Sequence, residues 1–78
     1  MNATEEKVRE LLKLQSLKNL FAQLKLTERV HDKNIPTVRG WLYDEIERRY
    51  PDEFLWWLDN TSCYDEELHE MILRNHPA

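Results

Sequence analysis

Hydrophobic positions recur along this chain at three- and four-residue spacings, and no segment alternates for long, so the period is helical throughout. Hairpins need turn chemistry that is missing: there is one Gly, and no Asn-Gly or Gly-rich turn. The clearest element is PTVRGWLYDEIERRY, 36–50, where Val38, Trp41, Leu42 and Ile46 share one apolar face. Proline is favoured at the first helical position and pushes its predecessor out of the α region, so this helix is predicted to begin at Pro36 or Thr37. Arg48 and Arg49 fall in its last turn, at the negative end of the helix dipole. Gly40 lies inside it at a cost of up to ~1 kcal/mol relative to Ala. That glycine suggests close approach of another backbone or side chain.

The first helix is predicted to start near Asn2 or Thr4, since Asn2 and Glu5 have capping-box spacing, and to run to about Leu24. Its apolar residues do not form one stripe. Val8, Leu11 and Leu12 lie on one side; Leu14, Leu17, Leu20, Phe21 and Leu24 lie nearly opposite. The simplest explanation is a break near Gln15 and Ser16, with Ser16 capping a second helix. The other is one long helix buried on two sides, one of them by another chain. Farther on, Thr27 is a candidate cap for a short turn that carries Val30 inward.

Pro51 ends the central helix and starts the next, with Asp52 and Glu53 in its first turn. Ser62 and Asp65 have capping-box-like spacing, which predicts a last helix over about 63–74 and a frayed end over 75–78. The fourth helix holds two adjacent tryptophans. Neighbours on a helix point about 100° apart, so both cannot sit at the centre of one narrow buried face. Phe54, Trp57 and Leu58 share a face, which assigns Trp57 to the core. Trp56 lies to one side, either packed under the N-terminal helix or exposed as an anchor for a partner. The fold class expected is all-α: a compact bundle of four to five short helices forming a single domain over 1–78.

At 78 residues one domain is the upper bound, and such a chain buries only about 60% of its unfolded surface. Eight aromatic residues, three of them Trp, offer dense packing as compensation. The single cysteine, Cys63, cannot form an intramolecular disulfide, and no apolar run approaches the roughly 18 residues of a membrane span. The N-terminal MNATEEKVRE reads as neither signal nor transit peptide, so a cytoplasmic location without membrane insertion is expected. The net charge of −4 is unevenly divided: residues 1–40 carry eight Lys/Arg against five Asp/Glu, and residues 41–78 carry three against ten. The acidic half argues against a broad nucleic-acid surface there, because phosphate binding needs clustered cations. It suits a basic partner or a solvated face.

Catalytic motifs are missing: there is no phosphate-cradling glycine loop, GxSxG or HExxH. Acids around Cys63 disfavour its thiolate, so it reads as a spectator. His69, His76 and Cys63 lack the paired spacing of a zinc site. DNTSCYDEELHE, 59–70, has calcium-loop length but puts Tyr64 where Gly is needed. No metal, cofactor or enzymatic activity is therefore expected.

Three functional readings follow. The first is a non-enzymatic protein, monomeric or homodimeric, that binds another protein with a basic surface through an aromatic patch rimmed by acids. Its anchors would be Trp56, Tyr43 and Tyr50, and its rim would include Asp44, Glu47, Asp52, Glu53 and Asp59. Acids of this kind steer encounter and set specificity more than affinity. In size, acidity and compact helical pattern the chain is similar in type to accessory proteins of phages and plasmids, though no motif carries that comparison. It implies the second reading, an inhibitor that mimics nucleic acid, provided Asp44, Glu45, Glu47, Asp52, Glu53, Asp59, Asp65, Glu66, Glu67 and Glu70 gather on one face. The third is a helix-turn-helix protein presenting Thr37, Arg39 and Tyr43 to base edges, with Lys25, Arg29 and Lys33 on phosphates.

Overall fold

In the computed structural model, which describes residues 3–77, five helices follow one another: α1 (Ala3–Lys13), α2 (Leu17–Thr27), α3 (Ile35–Arg49), α4 (Pro51–Asn60) and α5 (Asp65–Asn75). No strand occurs among the described residues, and the expected cap at Asn2 lies outside them. The central helix is α3, which packs against α1, α2 and α4; α5 closes the bundle against α2 and α4. The core is Leu12 of α1, Leu20, Phe21 and Leu24 of α2, Leu42 and Ile46 of α3, Phe54 and Trp57 of α4, and Leu68 and Ile72 of α5.

The two opposed stripes near the N-terminus belong to two helices. The chain breaks at Leu14–Ser16, and the Ser16 hydroxyl caps α2 by accepting from the Asn19 N–H at 3.1 Å. Arg49 holds the break from across the bundle. Its Nη2 donates to the carbonyls of Leu12 (2.9 Å), Lys13 (3.2 Å) and Gln15 (2.8 Å), across the end of α1 and the break that follows. This arginine therefore serves the negative end of a neighbouring helix as well as its own. Its Nε bonds Glu45, which Arg48 also grips, both at 2.6 Å. Burial pushes the Glu45 carboxyl up, but the Arg48 and Arg49 hydrogen bonds outweigh it and hold it below the ordinary carboxylate range.

Several local expectations are corrected. The α3 helix starts one residue early, at Ile35, with Pro36 in its first turn. Thr27 ends α2 instead of capping a new turn: its hydroxyl donates to the Leu24 carbonyl, and Val30 is exposed. Ser62 does not cap α5. Cys63 adopts φ 62°, a left-handed conformation that cannot continue a helix, so α5 begins at Asp65, and Asp65 turns inward. The C-terminal end is tied down, because the His76 ring lies 4.8 Å from that of Tyr50 and bonds Glu53 at 3.0 Å.

Gly40 has no close neighbour: a Cβ placed there would meet nothing within 4 Å. The helical cost of glycine is thus uncompensated, and Gly40→Ala is expected to raise stability by up to ~1 kcal/mol in urea unfolding. Destabilisation would mean that the backbone around Gly40 is closer-packed than this.

The His69 ring stacks on Phe21, with centroids 4.3 Å apart and planes 7° from parallel. Burial there lowers its pKa below the ordinary 6.5, against the opposing charge of Glu70. The unfolded chain then binds the proton more readily, so this residue's contribution is complete above about pH 6.5 and is lost as pH falls toward the lowered value. His69→Phe keeps the stack and is expected to flatten the pH dependence of unfolding free energy across that window. An unchanged slope would show that His69 does not contribute to it.

Candidate protein-binding face

Adjacent positions on α4 have opposite fates. Trp57 is 2% exposed and Trp56 is 54% exposed. Trp57 packs its ring against Phe54 and Tyr43, at 5.5 and 5.9 Å between centroids, and its indole N–H donates to the Tyr64 carbonyl at 2.9 Å. The polar end of the buried indole is thereby satisfied. Trp56 points instead along the outer seam between α4 and α5.

The seam is built by spacing. On α4, Asp52, Trp56 and Asp59 follow one another at four- and three-residue intervals, so they share an outward stripe. On α5, Glu67, Met71 and Arg74 follow at the same intervals along the edge of the inward stripe, with Glu70 beside Met71. The helices run antiparallel. Two shallow hollows result, both lined by Trp56, Met71 and Arg74. One opens toward Asp52, Glu53 and Asn75, and the other toward Thr61, Glu67 and Glu70. Trp56 thus stands between two acid-lined hollows. Four carboxylates surround it, with the Arg74 guanidinium opposing them. Glu53 also holds His76, and through His76 the half-buried ring of Tyr50 joins the same end of the seam.

The remaining expected site residues lie elsewhere. Tyr43 is not a surface anchor. Its ring packs on Phe54 and Trp57, and its hydroxyl donates to Asp65 at 2.5 Å while accepting from Arg39. Burial first, and then Asp65, push that hydroxyl's pKa well up, so it stays protonated and able to donate. Asp44 faces α1, where it pairs with Arg9 at 3.0 Å. Glu47 is half-buried on α3, outside the seam's lining, and Asp59 is exposed at the end of α4.

This distribution also bears on the other two readings. Glu45 and Asp65 are buried against arginines, Asp44 is paired, and Glu66 borders a hollow with Lys18 and Lys25 between α2 and α5. The ten acids are spread around the fold, which is not the single phosphate-like face a nucleic-acid mimic needs. Arg39 is committed internally, bonding the Leu24 carbonyl and Asp65 at 3.1 and 2.9 Å, together with Thr27 and Tyr43. With Arg39 and Tyr43 turned inward, only Thr37 of the three expected base-reading side chains is exposed on α3.

Met71 and Arg74 were not singled out as site residues by sequence reasoning. Met71 fits the inward stripe of α5 with Leu68 and Ile72, and it does pack against the core. The available signal was the spacing of Glu67, Met71 and Arg74 along one edge of that stripe. Among the described residues no group of three or more His, Cys, Asp or Glu is placed to hold a metal ion, and no helix is long and apolar enough to cross a membrane. Comparison with protein-family models, curated proteins and solved structures finds no match to this chain.

Proposed function

We propose that this protein acts, without catalysing a reaction, by binding another protein through the α4–α5 seam, with Trp56 as the central anchor and Tyr50 at its edge. The observation that carries the reading is an indole more than half exposed beside Met71 in an acid-rimmed channel, next to a second tryptophan that supplies the core. Tryptophan is enriched among the few residues that dominate interface energy, and such residues sit centrally within a polar rim. Asp52, Glu53, Glu67 and Glu70 give the rim a negative bias, so the partner presents Lys or Arg around an apolar contact. The setting proposed is the cytoplasm.

The test is affinity capture with the folded protein as bait, in parallel with Trp56→Ala, at low and elevated salt. The expected result is a partner retained by the wild type, lost from Trp56→Ala, and held less well as salt screens the rim. A partner captured equally by both baits would place binding on another face.

A further inference from the structure

The outward face of α1 is a second exposed apolar surface, remote in sequence from the seam and different in charge. The main packing partner of α1 is α3, toward which it turns Val8 and Leu12. Its opposite side carries Ala3, Lys7, Glu10, Leu11 and Leu14. Leu14 is 82% exposed, the most of any large hydrophobic in the described chain, and Leu11 is 59% exposed. Leu14 lies in the turn just past the end of α1, its N–H bonding the Leu11 carbonyl at 3.1 Å. Unlike the seam, this face is charge-balanced, with Lys7 and Lys13 set against Glu6 and Glu10; within the chain Lys13 pairs with Glu10 at 2.9 Å in water, where such a pair is weak and Glu10 can also accept from a second cation. A strongly basic or acidic partner gains nothing there.

The order of those charges selects the occupant. A two-fold axis through the stripe between Val8 and Arg9 would set two α1 helices antiparallel. Lys7 of one copy then faces Glu10 of the other, twice over, and the protruding Leu14 of each meets the small Ala3 of its mate. Parallel pairing would set Lys7 on Lys7 and Glu10 on Glu10. We propose that this face is a contact between two copies of the chain, isologous and antiparallel, with the Lys7–Glu10 pairs nearest its axis, Leu11 beside them and Leu14 toward its ends. One stripe of an eleven-residue helix covers much less than the ~800 Å² per partner of a standard interface, so the dimer expected is a weak one.

Sedimentation equilibrium of the whole chain, from micromolar to millimolar concentration, tests this. The variants are Lys7→Glu, Glu10→Lys and the double reversal, each checked for native helicity by circular dichroism. Wild type is expected to dimerise with concentration. Each single reversal brings like charges together and is expected to weaken dimerisation roughly tenfold or more. The double reversal, which restores opposite charges and the original net charge, should recover it. A wild type monomeric at millimolar concentration overturns the proposal. So does a dimer indifferent to the single reversals, or one that the double reversal fails to restore.

Discussion

Trp57→Ala is expected to leave the fold barely stable, whereas Trp56→Ala leaves the fold intact and removes partner binding. The two differ because burial differs. Truncating Trp57 empties a site enclosed by Phe54, Tyr43 and the rest of the core, and it removes the hydrogen bond from its indole to the Tyr64 carbonyl. Loss of a buried large aromatic costs about 3–5 kcal/mol, against a total of roughly 5–15 kcal/mol for natural domains, and a chain this short belongs near the lower end. Truncating Trp56 removes a ring already half in water, so the change in unfolding free energy is expected to stay within about 1 kcal/mol. Its loss from a central anchor position costs about 2 kcal/mol or more of binding, at least a thirtyfold weaker complex. Urea unfolding of both variants, with binding measured on Trp56→Ala, separates the two roles. Comparable destabilisation by both would make Trp56 a second core residue.

Breaking the Arg39–Asp65 pair is the other large effect expected. Asp65 is buried, accepting from Arg39 at 2.9 Å and from Tyr43 at 2.5 Å. It also sits in the first turn of α5, where the helix dipole favours a carboxylate. Arg39 reaches it from α3 and bonds the end of α2 with the same guanidinium, so one side chain ties three helices together. Arg39→Met keeps much of the side chain's bulk but leaves a buried carboxylate without its cation. A loss of about 3 kcal/mol is expected, the low end for a broken buried pair because Arg39 is partly solvated. At about 4–8 °C per kcal/mol for a domain of this size, thermal unfolding would register it clearly. Combining Arg39→Met with Asp65→Leu removes both charges and should recover part of the loss, since the penalty lies in the unpaired charge. If the double variant loses the full sum of the single effects, the pair is not coupled as described.

Much of this fold is legible along the chain because helices announce themselves locally. Ser16, Pro36 and Pro51 mark the starts of three helices, and the spacing of Phe54 and Trp57 names the buried face of α4. What spacing cannot show is which elements meet. Arg39 finds Asp65 26 positions away, and Arg49 finds the end of α1 more than 30 positions away. Nothing local separates those charges from a solvated surface, so Glu45 and Asp65 read as acids of a nucleic-acid-like face while the structure buries both. Gly40 misleads for the opposite reason: glycine inside a helix suggests a neighbour, and none is there. The seam itself is half legible. Trp56, Asp52 and Glu53 are found from α4 alone, but Met71, Arg74 and His76 join them only once α5 lies antiparallel alongside.

The central claim is that a partner docks over Trp56, and site-specific photocrosslinking tests it most directly. A photoreactive phenylalanine at Asp52 or at Glu70 brackets the indole on two helices without removing it, and one at Glu28, in the hollow between α2 and α5 and outside the seam's lining, serves as control. One discrete adduct is expected from both seam positions, absent from the control and lost when Trp56→Ala is added. An adduct at Glu28 with none at Asp52 or Glu70, or seam adducts that survive Trp56→Ala, would contradict it.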